Sequence, residues 1–229
     1  MLREEERVKA VLDRLEELYP EAKTALNFST PFQLLVAVVL SARSTDKQVN
    51  EVTRDLFAKY PGPAEMAALS PEEMAAAIKK VGLNKAKGKY LVELARKIVE
   101  EYGGEVPASW EELLRLPGVG RKTAGVVLSN AFQLPAFPVD THVFRVSRRL
   151  GLASGTTPEA VEKELEKAVP PELWGVTHHR LIYHGRQVCR ARKPLCESCR
   201  LADLCPRKGV SSDIKEKNRG HTKSKNRRR

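Results

Sequence analysis

Apolar residues recur along most of the chain at intervals of three and four, with strong helix formers between them, and this period predicts helix. Val8, Val11, Leu12, Leu15 and Leu18 form the first stripe, over about residues 4–18. Thr30, Pro31 and Gln33 supply a cap, a first-position proline and a capping box for the next helix. Its interior, LLVAVVL at 34–40, is apolar on all sides. By composition that run also suits a buried strand, but the cap before it and SARSTD after it favour a core helix. Further helices are expected from near Asp46, from Ser70 with Glu73 to about Lys80, and from about Lys85 to Tyr102. In the last of these Tyr90, Leu91, Leu94, Ala95, Ile98 and Val99 are expected inward, with Gly103-Gly104 as the stop. Ser109 with Glu112 opens a short helix closed by Pro117-Gly118, and Thr157-Pro158 opens one over 158–168. A final helix is expected from about Gly175 toward Cys189. Strand candidates are nearly absent, so the expected fold class is all-α, with about ten helices and short connections.

Charge changes this picture only at the end of the chain. Of the formal +11 carried by 229 residues, residues 207–229 hold ten Lys/Arg against two acids, which leaves +3 for the rest. A polyanionic partner is thus argued mainly by a basic tail with little apolar content, expected to be disordered. No apolar run is long enough to span a membrane. The opening MLREEERVKA is charged where a secretory signal needs an apolar stretch. A cytoplasmic, nucleoid-associated location is the resulting expectation.

Three segments carry candidate chemistry. LPGVGRKTA, Leu116–Ala124, lies between two expected helices. Gly118 and Gly120 permit a tight turn, Val119 sits between them, and Arg121 opens the next helix. Unpaired amides at a helix N-terminus hold a phosphate without reading bases; the same residues also make an ordinary connecting turn. Lys122 stands in the first helical turn, an unfavourable place for a cation, where an amine can serve as nucleophile or phosphate contact. In PVDTHVFRVSRRL, Asp140 suits a helix cap before Thr141, with Val143, Val146 and Leu150 inward. Arg145, Arg148 and Arg149 offer a positive face or a solvated surface. All four cysteines, Cys189, Cys196, Cys199 and Cys205, fall in one short segment, separated by six, two and five residues. In a chain without export features they read as a reduced four-thiolate site, for tetrahedral zinc or a [4Fe-4S] cluster. Arg190, Arg192 and Lys193 make the loop between the first two cysteines basic.

Taken in order, LPGVGRKTA, VDTHVFRV and the 6-2-5 cysteine spacing resemble the endonuclease III family of helix-hairpin-helix DNA glycosylases, over about residues 3–206. The resemblance implies two helical domains flanking a DNA-binding cleft. One is a six-helix barrel at 24–134 containing the hairpin; the other joins 1–23 to 135–206 and holds a [4Fe-4S] cluster on the four cysteines. It also implies a monomeric bifunctional glycosylase and abasic-site lyase, acting on oxidised pyrimidines of the thymine glycol type in duplex DNA. Lys122 is then the nucleophile at C1′ and Asp140 the essential carboxylate. DNA contacts are implied for Arg43, Leu83, Gly118, Val119, Gly120, Arg121, Arg190, Arg192 and Lys193.

The sequence departs from the pattern of the family it resembles at two loops. LSARSTD has Arg43 where the family commonly has a glutamine that fills the gap left by the flipped nucleotide, and GLNK stands for the usual GLYN or GFYR after the apolar wedge, Leu83. An arginine there adds a phosphate or guanine contact and bears on opposite-base preference. The adenine-specific relatives carry serine at the position of Lys122 and glutamate at that of Ala37, and a further C-terminal domain. Two alternatives remain within the family: a lyase acting chiefly on abasic sites, and a glycosylase of mismatched pyrimidines. Outside enzymes, a damaged-DNA binder needs the hairpin and basic loop but neither Lys122 nor Asp140.

Overall fold

The computed structural model describes residues 3–210; most of the basic tail expected at 207–229 lies outside the described residues. The helices are α1 (Glu4–Leu18), α2 (Pro31–Ser41), α3 (Asp46–Lys59), α4 (Pro63–Ala67), α5 (Pro71–Ala77), α6 (Asn84–Tyr102), α7 (Trp110–Leu114), α8 (Arg121–Ala131), α9 (Thr141–Leu150), α10 (Pro158–Ala168) and α11 (Trp174–Gln187). Two short 3-10 turns, Pro171–Leu173 and Cys196–Ser198, complete the regular structure of the described residues, so the chain is all-α. None of these helices is long and apolar enough to cross a membrane.

Capping chemistry sets most helix starts. Thr30, Thr45, Ser70 and Ser109 each accept the N–H three residues on. At Thr30 the return arm differs from a capping box, because Gln33 Oε1 takes the N–H of Ser29. Glycines in the left-handed region end α6 at Gly103 and α9 at Gly151, where a side chain is disfavoured.

The described residues divide into two compact units. The larger comprises Glu21–Pro138 and Val169–His179. Its core is built round α2, in which every residue from Leu34 to Leu40 is buried, with Leu91, Leu94 and Ile98 of α6 and Ala124 to Leu128 of α8. Tyr90 and Val99 face outward instead, at 44% and 37% exposure. The smaller unit comprises the described parts of Met1–Pro20, Val139–Ala168 and Arg180–Arg229. Val11 and Leu15 of α1, Val143, Val146 and Leu150 of α9 and Val161 and Leu165 of α10 are buried there.

The division differs from a boundary at 134/135 with everything after it in one domain. Val169–His179 belongs with the larger unit. Two bonds tie it there: His178 Nδ1 donates to Pro138 O at 2.7 Å, and His179 Nε2 donates to Asn130 Oδ1 at 2.8 Å.

Candidate active site and thiol-lined loop

In the larger unit, α7 and α8 are joined by a turn over residues 115–120 whose geometry follows from its apolar flanks. Leu113, Leu116 and Val119 are buried, and the turn closes through Val119 N–H to Leu116 O at 3.2 Å. Val119 is therefore spent on the turn, side chain inward and amide bonded. Gly118 has φ +75°, and a Cβ there would come within 3.1 Å of Tyr90 Cβ. This explains the outward Tyr90: it backs the hairpin glycine rather than the core. Gly120 precedes α8 with no side-chain cap and open space beside it. The guanidinium of Arg121 lies 4.8 Å from the centre of the Trp110 ring, a cation–π contact. Lys122 is exposed in the first turn of α8. Hairpin glycines, uncapped helix start and two exposed cations thus share one surface, suited to phosphate.

Arg43 and Leu83 are brought side by side on the same unit. Arg43 follows α2 with φ 56°, Leu83 precedes α6 with φ 60°, and both are exposed. A Cβ on Gly82 would lie 3.3 Å from Arg43 O. Between them sits a residue that reads in sequence as one more solvated cation of KAKGK. Lys87 is only 4% exposed, and burial pulls its ammonium below the ordinary lysine value.

In the smaller unit Asp140 begins α9. Its Oδ1 accepts the N–H of His142 and of Val143, each at 2.8 Å, so the cap does not engage Oδ2. Two of the arginines on α9 serve inward, not as an open positive face. Arg145, buried enough that its basicity is lowered, donates to Cys189 O at 3.1 Å and Gly185 O at 3.0 Å. Arg149 donates to Arg190 O at 2.7 Å and Ala191 O at 3.1 Å. Arg148 lies over Phe144. Those backbone bonds hold the loop after Cys189 while Arg190, Arg192 and Lys193 stay exposed.

Cys189, Cys196, Cys199 and Cys205 line one cavity of about 310 Å³, counting its open part, walled by Leu150, Val188, Pro194 and Leu195. Burial raises the Cys199 and Cys205 thiols, and the neighbouring cysteine sulfurs raise them further. Four mutually opposed thiolates in an apolar wall suit a cationic group, which relieves that repulsion. Arg207 N–H donates to Cys205 Sγ at 3.4 Å, and His184 Nε2 stands 3.8 Å from Cys199 Sγ. Burial brings the His184 imidazole down to about 4, and its Nδ1 meets Tyr19 OH at 3.1 Å.

A helical hairpin with a glycine turn, followed by a four-thiol loop in an all-α chain, is the arrangement of helix-hairpin-helix DNA-repair proteins. Residues 36–171 match the family described as HhH-GPD superfamily base excision DNA repair protein, and residues 189–205 match the iron-sulfur binding domain of endonuclease III. The chain is 49% identical to endonuclease III of Bacillus subtilis over 209 residues, 91% of this chain and 95% of that one. It is 48% identical to that of Escherichia coli K12 over 195 residues, 85% and 92% of the two chains. An endonuclease III solved as a trapped covalent intermediate with DNA superposes with TM-score 0.85 at 45% identity, covering 90% of this chain and 97% of that one. A thermostable thymine-DNA glycosylase follows at 27% identity and TM-score 0.80, covering 88% and 96%. The chain belongs to the endonuclease III family of base-excision-repair DNA glycosylases and AP lyases.

Proposed function

We propose that this chain releases oxidised pyrimidines from duplex DNA and then cleaves the abasic site, with Lys122 as nucleophile and Asp140 as the essential carboxylate. The observation that carries the reading is an exposed lysine in the first turn after an anion-suited hairpin, in a chain 45% identical to one trapped covalently on DNA. The Lys122 amine attacks C1′, and the glycosidic bond breaks toward the base, which leaves with its electron pair and takes a proton. Nitrogen then loses a proton, and its lone pair expels O4′, which takes a proton as the C1′–O4′ bond breaks and the sugar ring opens, giving a Schiff base whose iminium acidifies C2′. Removal of that proton expels the 3′ phosphate by β-elimination. Asp140, with Oδ2 outside the cap, offsets the positive charge that develops on the sugar. The target nucleotide leaves the stack before attack, with Leu83 as the wedge and Arg43 in the gap. Gly118, Gly120, Arg121 and the Arg190, Arg192 and Lys193 loop hold phosphates.

Cys189, Cys196, Cys199 and Cys205 would hold a [4Fe-4S] cluster. When bound, such a cluster supplies cross-links that a short loop cannot obtain from a core of its own.

The test is borohydride trapping on a duplex containing one thymine glycol, with Lys122→Ala, an abasic duplex and a T·G mismatch alongside. A covalent adduct on the lesion duplex that Lys122→Ala abolishes supports the reading. An adduct on the abasic or mismatched duplex alone replaces it with a lyase or a mismatch glycosylase, and no adduct at all refutes the lysine mechanism.

A further inference from the structure

Arg43 and Leu83 hold left-handed backbone, which residues with side chains keep only where the surroundings enforce it. At Arg43 the enforcing group is the Lys87 side chain. Its Nζ donates to Leu40 O at 2.8 Å and to Ala42 O at 2.6 Å, with Ser44 Oγ at 3.5 Å. The Ala42 carbonyl belongs to the peptide that leads into Arg43. The Lys87 backbone N–H donates to Leu83 O at 3.0 Å, so one residue grips the peptide before Arg43 and the carbonyl of Leu83. Ser44 Oγ closes the circuit by accepting Gly82 N–H at 3.3 Å. The helix that presents Lys87 is itself pressed home: a Cβ on Gly88 would meet Ala75 N at 2.8 Å and Pro71 O at 2.9 Å. Capping α2 alone needs no buried ammonium, since water or a surface cation satisfies exposed helix ends. Burying a charged amine is costly unless its donors are used, and here they are all used on the stretch Leu40–Ser44 around Arg43, which the ammonium thereby ties to the helix that begins after Leu83.

We propose that Lys87 is a positioning residue for engagement of the damaged duplex, fixing the spacing at which Arg43 and Leu83 meet the strand opposite the lesion and the gap beside it. The inference rests on the reading of those two residues as duplex contacts. Arg43 reaches the opposite base only from the backbone conformation that Lys87 holds, so Lys87 contributes to opposite-base preference without touching DNA.

Lys87→Met keeps the length and the apolar stem and removes every side-chain donor. Single-turnover base release is measured on duplexes with thymine glycol opposite adenine and opposite guanine. Trapping is measured in parallel on a single-stranded abasic oligonucleotide, which has no opposite strand to engage. Duplex release is expected to fall about ten- to a hundredfold, as for a misplacement near 1 Å, with single-stranded trapping down by about twofold at most. The guanine-to-adenine ratio is expected to move toward that of Arg43→Ala. In the Arg43→Ala, Leu83→Ala background, Lys87→Met is expected to add less than about twofold. Ser44→Ala removes one hydroxyl at a half-buried position and gives a smaller change of the same kind, which keeps the test open if Lys87→Met fails to fold. Equal losses on both substrates, an unmoved opposite-base ratio, or additive effects in the combined variant would each overturn the proposal. If Arg43→Ala and Leu83→Ala themselves leave duplex release and the ratio unchanged, the underlying reading of those contacts is what fails, and the role of Lys87 fails with it.

Discussion

Replacing Asp140 by asparagine and by alanine separates two tasks of one carboxylate. As a cap, Asp140 spends one oxygen, Oδ1, on the His142 and Val143 amides at 2.8 Å each. Asparagine presents an equivalent carbonyl oxygen and ranks with aspartate as a cap, whereas alanine presents none and costs about 1 kcal/mol. For a chain of this size that loss lowers the melting temperature by about 2–4 °C, and Asp140→Asn should stay within about 1 °C of the parent. The charge is a separate matter. Removing one group aimed at developing charge costs about 10²–10³ in rate, near 3–4 kcal/mol, and both variants lose it. The assay pairs thermal melts with single-turnover base release from a thymine glycol duplex. Expected is a split: Asp140→Asn stable and slow, Asp140→Ala less stable and slow. Activity retained in Asp140→Asn would refute a role for the charge. Equal destabilisation of the two variants would refute the account of the cap.

Other outcomes follow from the same structure. Glu164 is held below the ordinary carboxylate range by the Ser154 N–H, at 2.5 Å from its Oε2. Its contribution to stability is present above the carboxyl's value in the unfolded chain and is lost as pH falls through the lower folded value. The stability gap between the parent and Glu164→Gln should therefore narrow as acid is added, and a gap that widens contradicts the assignment. With the proposed cluster on the four cysteines, removing its iron should lower amide protection over residues 189–205 and in α1, read by hydrogen exchange; unchanged protection contradicts the proposed bracing role. Deleting residues 208–229, which carry nine of the chain's 40 Lys/Arg, should weaken non-specific DNA binding and flatten its salt dependence while sparing single-turnover chemistry. Equal salt slopes would remove the tail from DNA binding.

What the sequence made legible was local. Thr30, Ser70, Ser109 and Asp140 stand one residue before their helices, and a cap is written within four residues of itself. LLVAVVL is a core helix for the same reason. What it hid depended on partners distant in sequence. The inward stripe of α6 excludes Tyr90 because the hairpin glycine at 118 needs a flat surface beside it. The short α4, with Glu65 Oε2 accepting Gly62 N–H at 3.1 Å, opens at the end of Pro61-Gly62-Pro63, where no helix is among those expected from the sequence. Arg145 and Arg149 look like surface charge until the backbone carbonyls of the cysteine loop arrive from some forty residues away. Lys87 is the extreme case, since nothing in a lysine-rich run announces that one ammonium is buried against carbonyls 45 and 47 positions earlier.

The discontinuity of the smaller unit bears on how the protein is made. On α1, Arg7 donates to Leu150 O and Gly151 O at 2.8 Å and to Leu204 O at 3.3 Å, partners 143, 144 and 197 positions later. Arg14 likewise reaches Arg200 O and Asp203. During translation the larger unit has all its residues once His179 has emerged, while α1 is still waiting for the cysteine loop with Val11 and Leu15 uncovered. That interval is a window for chaperones and proteases, because an amphipathic helix without its partner is what they bind. The window closes only when the segment that carries Leu204 has emerged and docked on Arg7, so the last residues of the smaller unit to be made decide how long its first helix stays exposed.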